Sequence, residues 1–165
     1  MPIMTIQILI TGGTIDKVYN ELTGELEFGN THIVDMLNRG RSMAETQSEV
    51  LFLKDSLDMS DDDRALVLEK CSSSKADKII ITHGTDTLVE TAKLLGENIK
   101  DKTVVLFGAM IPYSINHSDG LFNLGVAMGA VQNKAYGVYV AMNGQVFDWN
   151  NVEKDRARGL FQTLS

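Results

Sequence analysis

A single cysteine, Cys71, excludes an intrachain disulfide in this chain of 165 residues. Leu66 to Glu69 before it and Ser72 to Ser74 after it read as the end of a helix. No His or Asp cluster lies beside it to activate a thiolate, so a small buried side chain is expected there. Long apolar runs are missing too: none approaches the roughly 20 residues that cross a bilayer as a helix. The N-terminal MPIMTIQ has neither the cationic segment nor the cleavage site of a leader, which makes cytoplasm the expected location. Positive charge is in deficit, with 15 Lys and Arg against 22 Asp and Glu, for a net charge of −7 and a pI of about 4.9. An acidic surface repels phosphate backbones, so nucleic acid is not an expected partner. A small zwitterionic substrate remains compatible with it.

Hydrophobic residues at 44% and charged residues at 22% fit a globular domain, and the length suits one such domain with one core. Residues 5–10 (TIQILI), 50–53 (VLFL), 78–82 (KIIIT), 103–107 (TVVLF) and 137–142 (GVYVAM) are apolar, β-branched runs. Nearly continuous apolar strands suit a parallel sheet covered on both faces. Helical segments are expected between them at residues 31–39, 61–71, 86–98 and 119–133. Gly40 is the expected cap of the first, and the acidic run Asp61 to Asp63 favours the positive end of the second. Strands alternating with helices imply right-handed crossovers. The fold expected is therefore α/β, a doubly wound, mainly parallel, three-layer sheet of flavodoxin-like or Rossmann-like type. In such sheets ligands bind beyond the carboxyl ends of the strands.

Three strand ends carry unusual residues. The first runs into Thr11-Gly12-Gly13-Thr14-Ile15, the third into Thr82-His83-Gly84-Thr85-Asp86-Thr87, and the fourth into Gly108-Ala109-Met110-Ile111-Pro112. Glycines there permit sharp turns and close approach of a ligand to the backbone. Each fragment has a plainer reading. TGGT alone is a tight turn, and it lacks the GxxxxGK[ST] or GxGxxG spacing of a phosphate loop. HGTDT alone is a capped helix start, with Thr85 or Asp86 accepting backbone N–H bonds.

Taken together, TGGTI, HGTDT, GAMIP and the later Asn143…Asp148…Lys154 resemble, in order and spacing, the N-terminal domain of bacterial-type L-asparaginases. The resemblance runs from about residue 5 to about residue 162. It implies hydrolysis of the asparagine side-chain amide by a threonine nucleophile matching Thr14. A second threonine matching Thr85 pairs with the lysine matching Lys154 and the aspartate matching Asp86. By itself Lys154, in NNVEKDR, reads as a solvated surface lysine; its registry with MNGQVFDWNNVEK supplies the assignment. The resemblance also implies that Asp86 holds the substrate α-amino group and Ser56 its α-carboxylate. Gly13 and Ala109 form backbone wall, and N–H groups near Thr14 and Thr85 meet the oxyanion. Tyr19 is the candidate for a loop tyrosine that polarises the nucleophile. Its spacing from Thr14 is shorter than the family's, so a structural or merely mobile Tyr19 is an equal reading. Gly24 and Gly29 suggest that this loop is a hairpin lid. No cofactor and no metal are implied.

Two departures stand out. Leu57 occupies the place of a glutamine that helps bind the substrate carboxylate, so weaker binding or altered preference is expected. The resemblance covers the first of two domains, and the expectation is a single-domain form without the C-terminal one. That second domain, from a neighbouring subunit, would offer an acidic residue to the α-amino group. An active hydrolase ranks first, assembled as a dimer or tetramer, with an amidase of altered specificity beside it. The competitors are a non-catalytic asparagine or aspartate sensor and a nucleotide-binding flavodoxin-like domain. Trp149, Phe147 and Phe161 are expected to be exposed and to serve a subunit interface. His83 is expected as a hydrogen-bonded core histidine and His117 as a turn residue. His32 with Asp35 lacks a third metal ligand. The eight methionines are expected mainly as core filler.

Overall fold

The computed structural model describes residues 4–164; residues 1–3, part of the stretch read above as lacking a leader, and residue 165 lie outside the described residues. In chain order the first half comprises β1 (Ile6–Gly12), β2 (Lys17–Asn20), β3 (Glu25–Phe28), α1 (Ile33–Arg39), β4 (Thr46–Lys54) and α2 (Asp61–Ser73). The second half comprises β5 (Lys78–Thr82), α3 (Leu88–Asn98), β6 (Thr103–Phe107), α4 (Gly120–Asn133), β7 (Gly137–Met142), β8 (Gln145–Asp148), β9 (Glu153–Asp155) and β10 (Leu160–Gln162).

Six strands form one sheet in the order β4-β1-β5-β6-β7-β8. The first five are parallel, and β8 returns antiparallel along β7. This is the flavodoxin-like order carrying one antiparallel edge. Alternate residues of each strand feed two cores. Ile6, Ile8 and Ile10 of β1 pack with Ile33 and Met36 of α1 and with Leu124, Ala127 and Val131 of α4. Leu9 of β1 packs on the opposite face with Val67 and Cys71 of α2 and with Leu88, Ala92 and Leu95 of α3. Each fully buried Ile or Leu contributes about 1.5–3 kcal/mol. Cys71 is part of this second core, and burial pushes its thiol up to about 12, far from a nucleophile at neutral pH.

Several expectations need correction. The strand over 50–53 extends back to Thr46, because β4 is the sheet edge and its exposed polar residues Gln47, Ser48 and Glu49 break the apolar signal. Gly40 follows α1 with an ordinary φ of −73°, whereas Arg41 takes the left-handed conformation at φ 54°. Ser42 N–H donates to Leu37 O and Arg41 N–H to Asn38 O, the two bonds of a Schellman cap. The exposed aromatic patch does not exist. Phe147 and Phe161 are buried at 4% and 2% exposure, and Trp149 is half-buried. The indole lies against Gly96 of α3, where an added Cβ would meet it at 2.1 Å. These three aromatics are thus spent on the fold.

His83 follows β5 and is wholly buried. One ring nitrogen lies 2.8 Å from the Gly84 carbonyl and the other 2.7 Å from the Thr91 hydroxyl. Burial lowers its pKa from 6.5 to about 4, so the folded chain keeps the ring neutral. The sign follows by linkage. The unfolded state takes up a proton below pH 6.5 and the folded state only near 4, so stability present above 6.5 is lost as pH falls toward 4. Between pH 7.5 and pH 5 this one group is expected to remove about 2 kcal/mol. Urea denaturation at the two pH values, compared between the wild type and His83→Gln, measures it. The wild type loses the larger amount, and equal losses would contradict the buried neutral imidazole.

Candidate active site

The strand ends β4, β1, β5 and β6 lie side by side in the sheet, so the loops that follow them meet at one edge. Glycines set how closely they meet. Gly12 (φ 100°), the last residue of β1, and Gly13 (φ 81°) after it adopt left-handed backbone. A Cβ on Gly13 would lie 2.5 Å from Gly84 Cα, and one on Gly84 would lie 2.7 Å from Ser56 Oγ. A Cβ on Gly108 would come within 2.2 Å of the His83 carbonyl oxygen. The Thr14, Ser56, Thr85 and Ala109 turns are therefore stacked with no room for side chains between their backbones. Hydrogen bonds fix the stack: Gly13 N–H donates to Lys54 O at 2.9 Å and His83 N–H to Phe107 O at 2.9 Å. Thr11 Oγ donates to Thr82 O at 2.7 Å, a structural role for the first threonine of TGGT.

The HGTDT turn is not spent on helix capping. The N-cap of α3 is Thr87, and no side-chain capping bond is made. Thr87 instead ties this turn to the next one: its hydroxyl donates to Ser56 O at 2.9 Å, and its N–H donates to Ser56 Oγ at 3.2 Å. Helix α2 shows the contrast, with a complete capping box between Ser60 and Asp63. Thr85 and Asp86 turn to a different partner. Lys154 Nζ donates to Thr85 Oγ at 2.8 Å and to Asp86 Oδ1 at 2.9 Å. The Lys154 side chain is 9% exposed, so the ammonium is sequestered rather than solvated. That hydrogen bond, ahead of the opposing effect of desolvation, holds the Asp86 carboxyl below the usual carboxylate range. The ion pair persists above that range and is lost only as pH falls through the lowered value.

Lys154 reaches the cleft from β9, which pairs with β10 and sets Lys154 opposite Phe161. Buried Val152 and Phe161 root this hairpin in the second core, and Phe161 N–H donates to Asn143 Oδ1 at 2.7 Å. Ala109 is buried at the end of β6. The residues after it are pinned by Asp119, whose carboxylate accepts from the N–H groups of Met110 and Ile111 at 2.9–3.1 Å. Although Asp119 is the N-cap of α4, its side chain makes no capping bond to the helix; it serves this loop and also accepts from Asn123 Nδ2 of α4 at 3.1 Å.

Thr14 opens a 3-10 turn, Thr14–Asp16, and is half-buried. Its side chain makes no hydrogen bond to another described residue. Ser56 is 4% exposed and touches the Thr85 turn through Thr87. Leu57 beside it is 68% exposed and points away from the core. Tyr19 lies on β2, opposite Leu26 of β3, and is 60% exposed. The hairpin expected around Gly24 exists, with Gly24 at φ 76° in its turn. Its base is clamped on both sides: Lys17 pairs with Asp55 at 2.8 Å, and Asp16 accepts from Thr31 Oγ and His32 N–H. Thr14, Gly13, Ser56, Thr85, Asp86, Ala109 and Lys154 thus share one sheet edge, whereas Tyr19 stands out on the hairpin.

The sequence reading missed Arg156. Its Nη1 donates to Asp86 Oδ1 at 2.9 Å and its Nη2 to Asp86 O at 2.8 Å. No local signal marks it, since Arg156 lies past the end of β9 in a turn, where strand alternation no longer fixes which side a residue faces.

Comparison with known proteins places the sequence and the fold. The family model described as asparaginase, N-terminal, matches residues 5–162. L-asparaginase 2 of Escherichia coli is 36% identical over 159 residues, covering 90% of this chain and 46% of that protein. The thermostable L-asparaginase from Thermococcus kodakarensis superposes with a TM-score of 0.86 at 29% identity, over 97% of this chain and 51% of that one. A probable cytoplasmic L-asparaginase from Campylobacter jejuni gives 0.82 at 35% identity, over 96% and 52%. The chain spans about half the length of the curated relatives it matches. It belongs to the asparaginase family, matching that family's N-terminal domain.

Proposed function

We propose that the chain hydrolyses the side-chain amide of L-asparagine to L-aspartate and ammonia through a threonine ester. The observation that carries this reading is the 2.8 Å contact between the sequestered Lys154 ammonium and the Thr85 hydroxyl, with Asp86 closing the triad. A hydroxyl is a weak nucleophile until a neighbour accepts its proton. In the first step Thr14 Oγ attacks the amide carbon and a C–O bond forms. Once Lys154 Nζ has released one proton to solvent, the Thr14 proton passes to Thr85 Oγ as Thr85 gives its own to the neutral Lys154 amine, and the carbonyl π pair moves onto oxygen. N–H groups of the Thr14 and Thr85 turns are the candidate oxyanion donors, each worth about 3 kcal/mol of barrier in comparable sites. Collapse of the adduct breaks the C–N bond, and the nitrogen leaves as ammonia with the relayed proton. Water then cleaves the ester and returns the proton to Thr14.

Asp86 and Ser56 are proposed to anchor the substrate's ammonium and carboxylate. The exposed Leu57 beside Ser56 offers no polar group to that carboxylate. Tyr19, on a hairpin clamped only at its base, is proposed to approach Thr14 when the hairpin folds over bound substrate. A second reading exchanges the threonines, because Thr85 is the hydroxyl in contact with the lysine. A non-catalytic amino-acid sensor needs no such contact.

Ammonia release from asparagine, glutamine and related amides tests the proposal. The wild type is expected to turn over asparagine. Thr14→Ala, Thr85→Val and Lys154→Met are each expected to lose about 1000-fold or more in kcat. Mass spectrometry of the trapped ester identifies which threonine is acylated. Binding without ammonia release from any amide would give the site to a sensor. The proposal extends to a homo-oligomer in the cytoplasm, in line with a neighbouring structure described as a probable cytoplasmic asparaginase. Sedimentation of the purified protein as a monomer, or recovery from another cell fraction, would overturn that part.

A further inference from the structure

The Asp86 carboxylate faces two cations, not one. Lys154 and Arg156 both donate to its Oδ1 at 2.9 Å, and Arg156 adds a second bond to the Asp86 main-chain oxygen at 2.8 Å. A two-pronged guanidinium contact holds its geometry better than a lone ammonium. The hairpin that delivers both cations is itself fixed. Asp155 Oδ1 accepts from Ala157 N–H at 3.1 Å and Arg158 N–H at 3.2 Å, while Gly159, at φ 65°, donates its N–H to Asp155 O at 2.8 Å. Lys154 is committed, because it is 9% exposed and bonded to Thr85 as well. Arg156 is different: its side chain is 60% exposed, and it can swing into water without disturbing the core.

This arrangement bears on what the site accepts. A ligand ammonium arriving at Asp86 finds one negative charge already shared between two positive ones. It must displace the guanidinium or sit beside it, and like charges at contact distance repel. An amide substrate without an ammonium meets no such competitor. We propose that Arg156 is a specificity-determining residue whose guanidinium stands where a substrate α-ammonium would lie on Asp86, favouring ω-amides of dicarboxylic acids that lack that ammonium. The inference rests on the hydrolase reading above and refines its substrate class. Lys154 and Thr85 serve the reaction with either kind of substrate, whereas Arg156 selects between them.

Asparagine and succinamate form the matched pair for the test, since they differ only by the α-ammonium. The readout is the ratio of kcat/KM for asparagine to that for succinamate, which cancels any shared effect of a substitution on the Lys154–Thr85 contact. The wild-type ratio is expected to be about one or below. Arg156→Ala is expected to raise it about tenfold or more, mainly through a lower KM for asparagine, with Arg156→Lys between the two. A ratio unchanged within about twofold in Arg156→Ala overturns the inference and leaves the hydrolase reading intact. If wild type turns over neither amide, the hydrolase reading fails. Calorimetric Kd values for the same two compounds then test Arg156 directly: an unchanged ratio refutes its selecting role, and a raised one supports it.

Discussion

The site depends on a lysine ammonium placed between a threonine hydroxyl and an aspartate carboxylate. In the turn that leads into α3, Thr85 and Asp86 point their side chains away from the helix, whose N-cap Thr87 makes no side-chain capping bond. The helix begins without a side-chain cap, a loss of about 1 kcal/mol relative to a well-capped helix. The same residues instead hold Lys154, whose side chain is nearly removed from water. A desolvated ammonium persists only with partners, and Thr85 and Asp86 supply them.

The glycine stack makes that placement possible. Gly13, Gly84 and Gly108 let the loops after three neighbouring strands come within contact distance, so their side chains project into one cleft. Hydrogen bonds then lock each loop to the next: Thr87 to Ser56, Gly13 to Lys54, and Asp119 to the backbone after Ala109. Beneath them, neutral His83 bridges the Gly84 carbonyl and Thr91. The sheet fixes where the loops start and the glycines fix how close they come. The hairpin of β9 and β10, rooted by Phe161, then brings the cations from outside.

Much of this was legible in the sequence, for physical reasons. The four interior strands are buried on both faces, so β-branched runs reported them residue for residue or nearly so. Edge strand β4 was found only in part, because half of it faces solvent and carries polar residues. Strands β8, β9 and β10, at three or four residues each, are too short for any periodicity. Their aromatics looked like an exposed patch because nothing local reveals that Trp149 covers a glycine on α3. TGGTI and HGTDT were readable as motifs because glycine and threonine at a strand end have a specific geometric use. Lys154 was readable only through registry, since its neighbours in sequence are polar apart from Val152. Arg156 escaped because its role depends on a turn whose shape comes from Asp155 and Gly159.

The contact between Lys154 and Thr85 is tested most directly by a double-mutant cycle on ammonia release from asparagine. Thr85→Val, Lys154→Met and the double variant are compared with the wild type at a pH where Asp86 is ionised. If the hydroxyl and the ammonium act as one unit, the double variant is no slower than the worse single variant, within about threefold. Multiplicative losses, with the double variant slower by the product of the two single effects, would contradict the account.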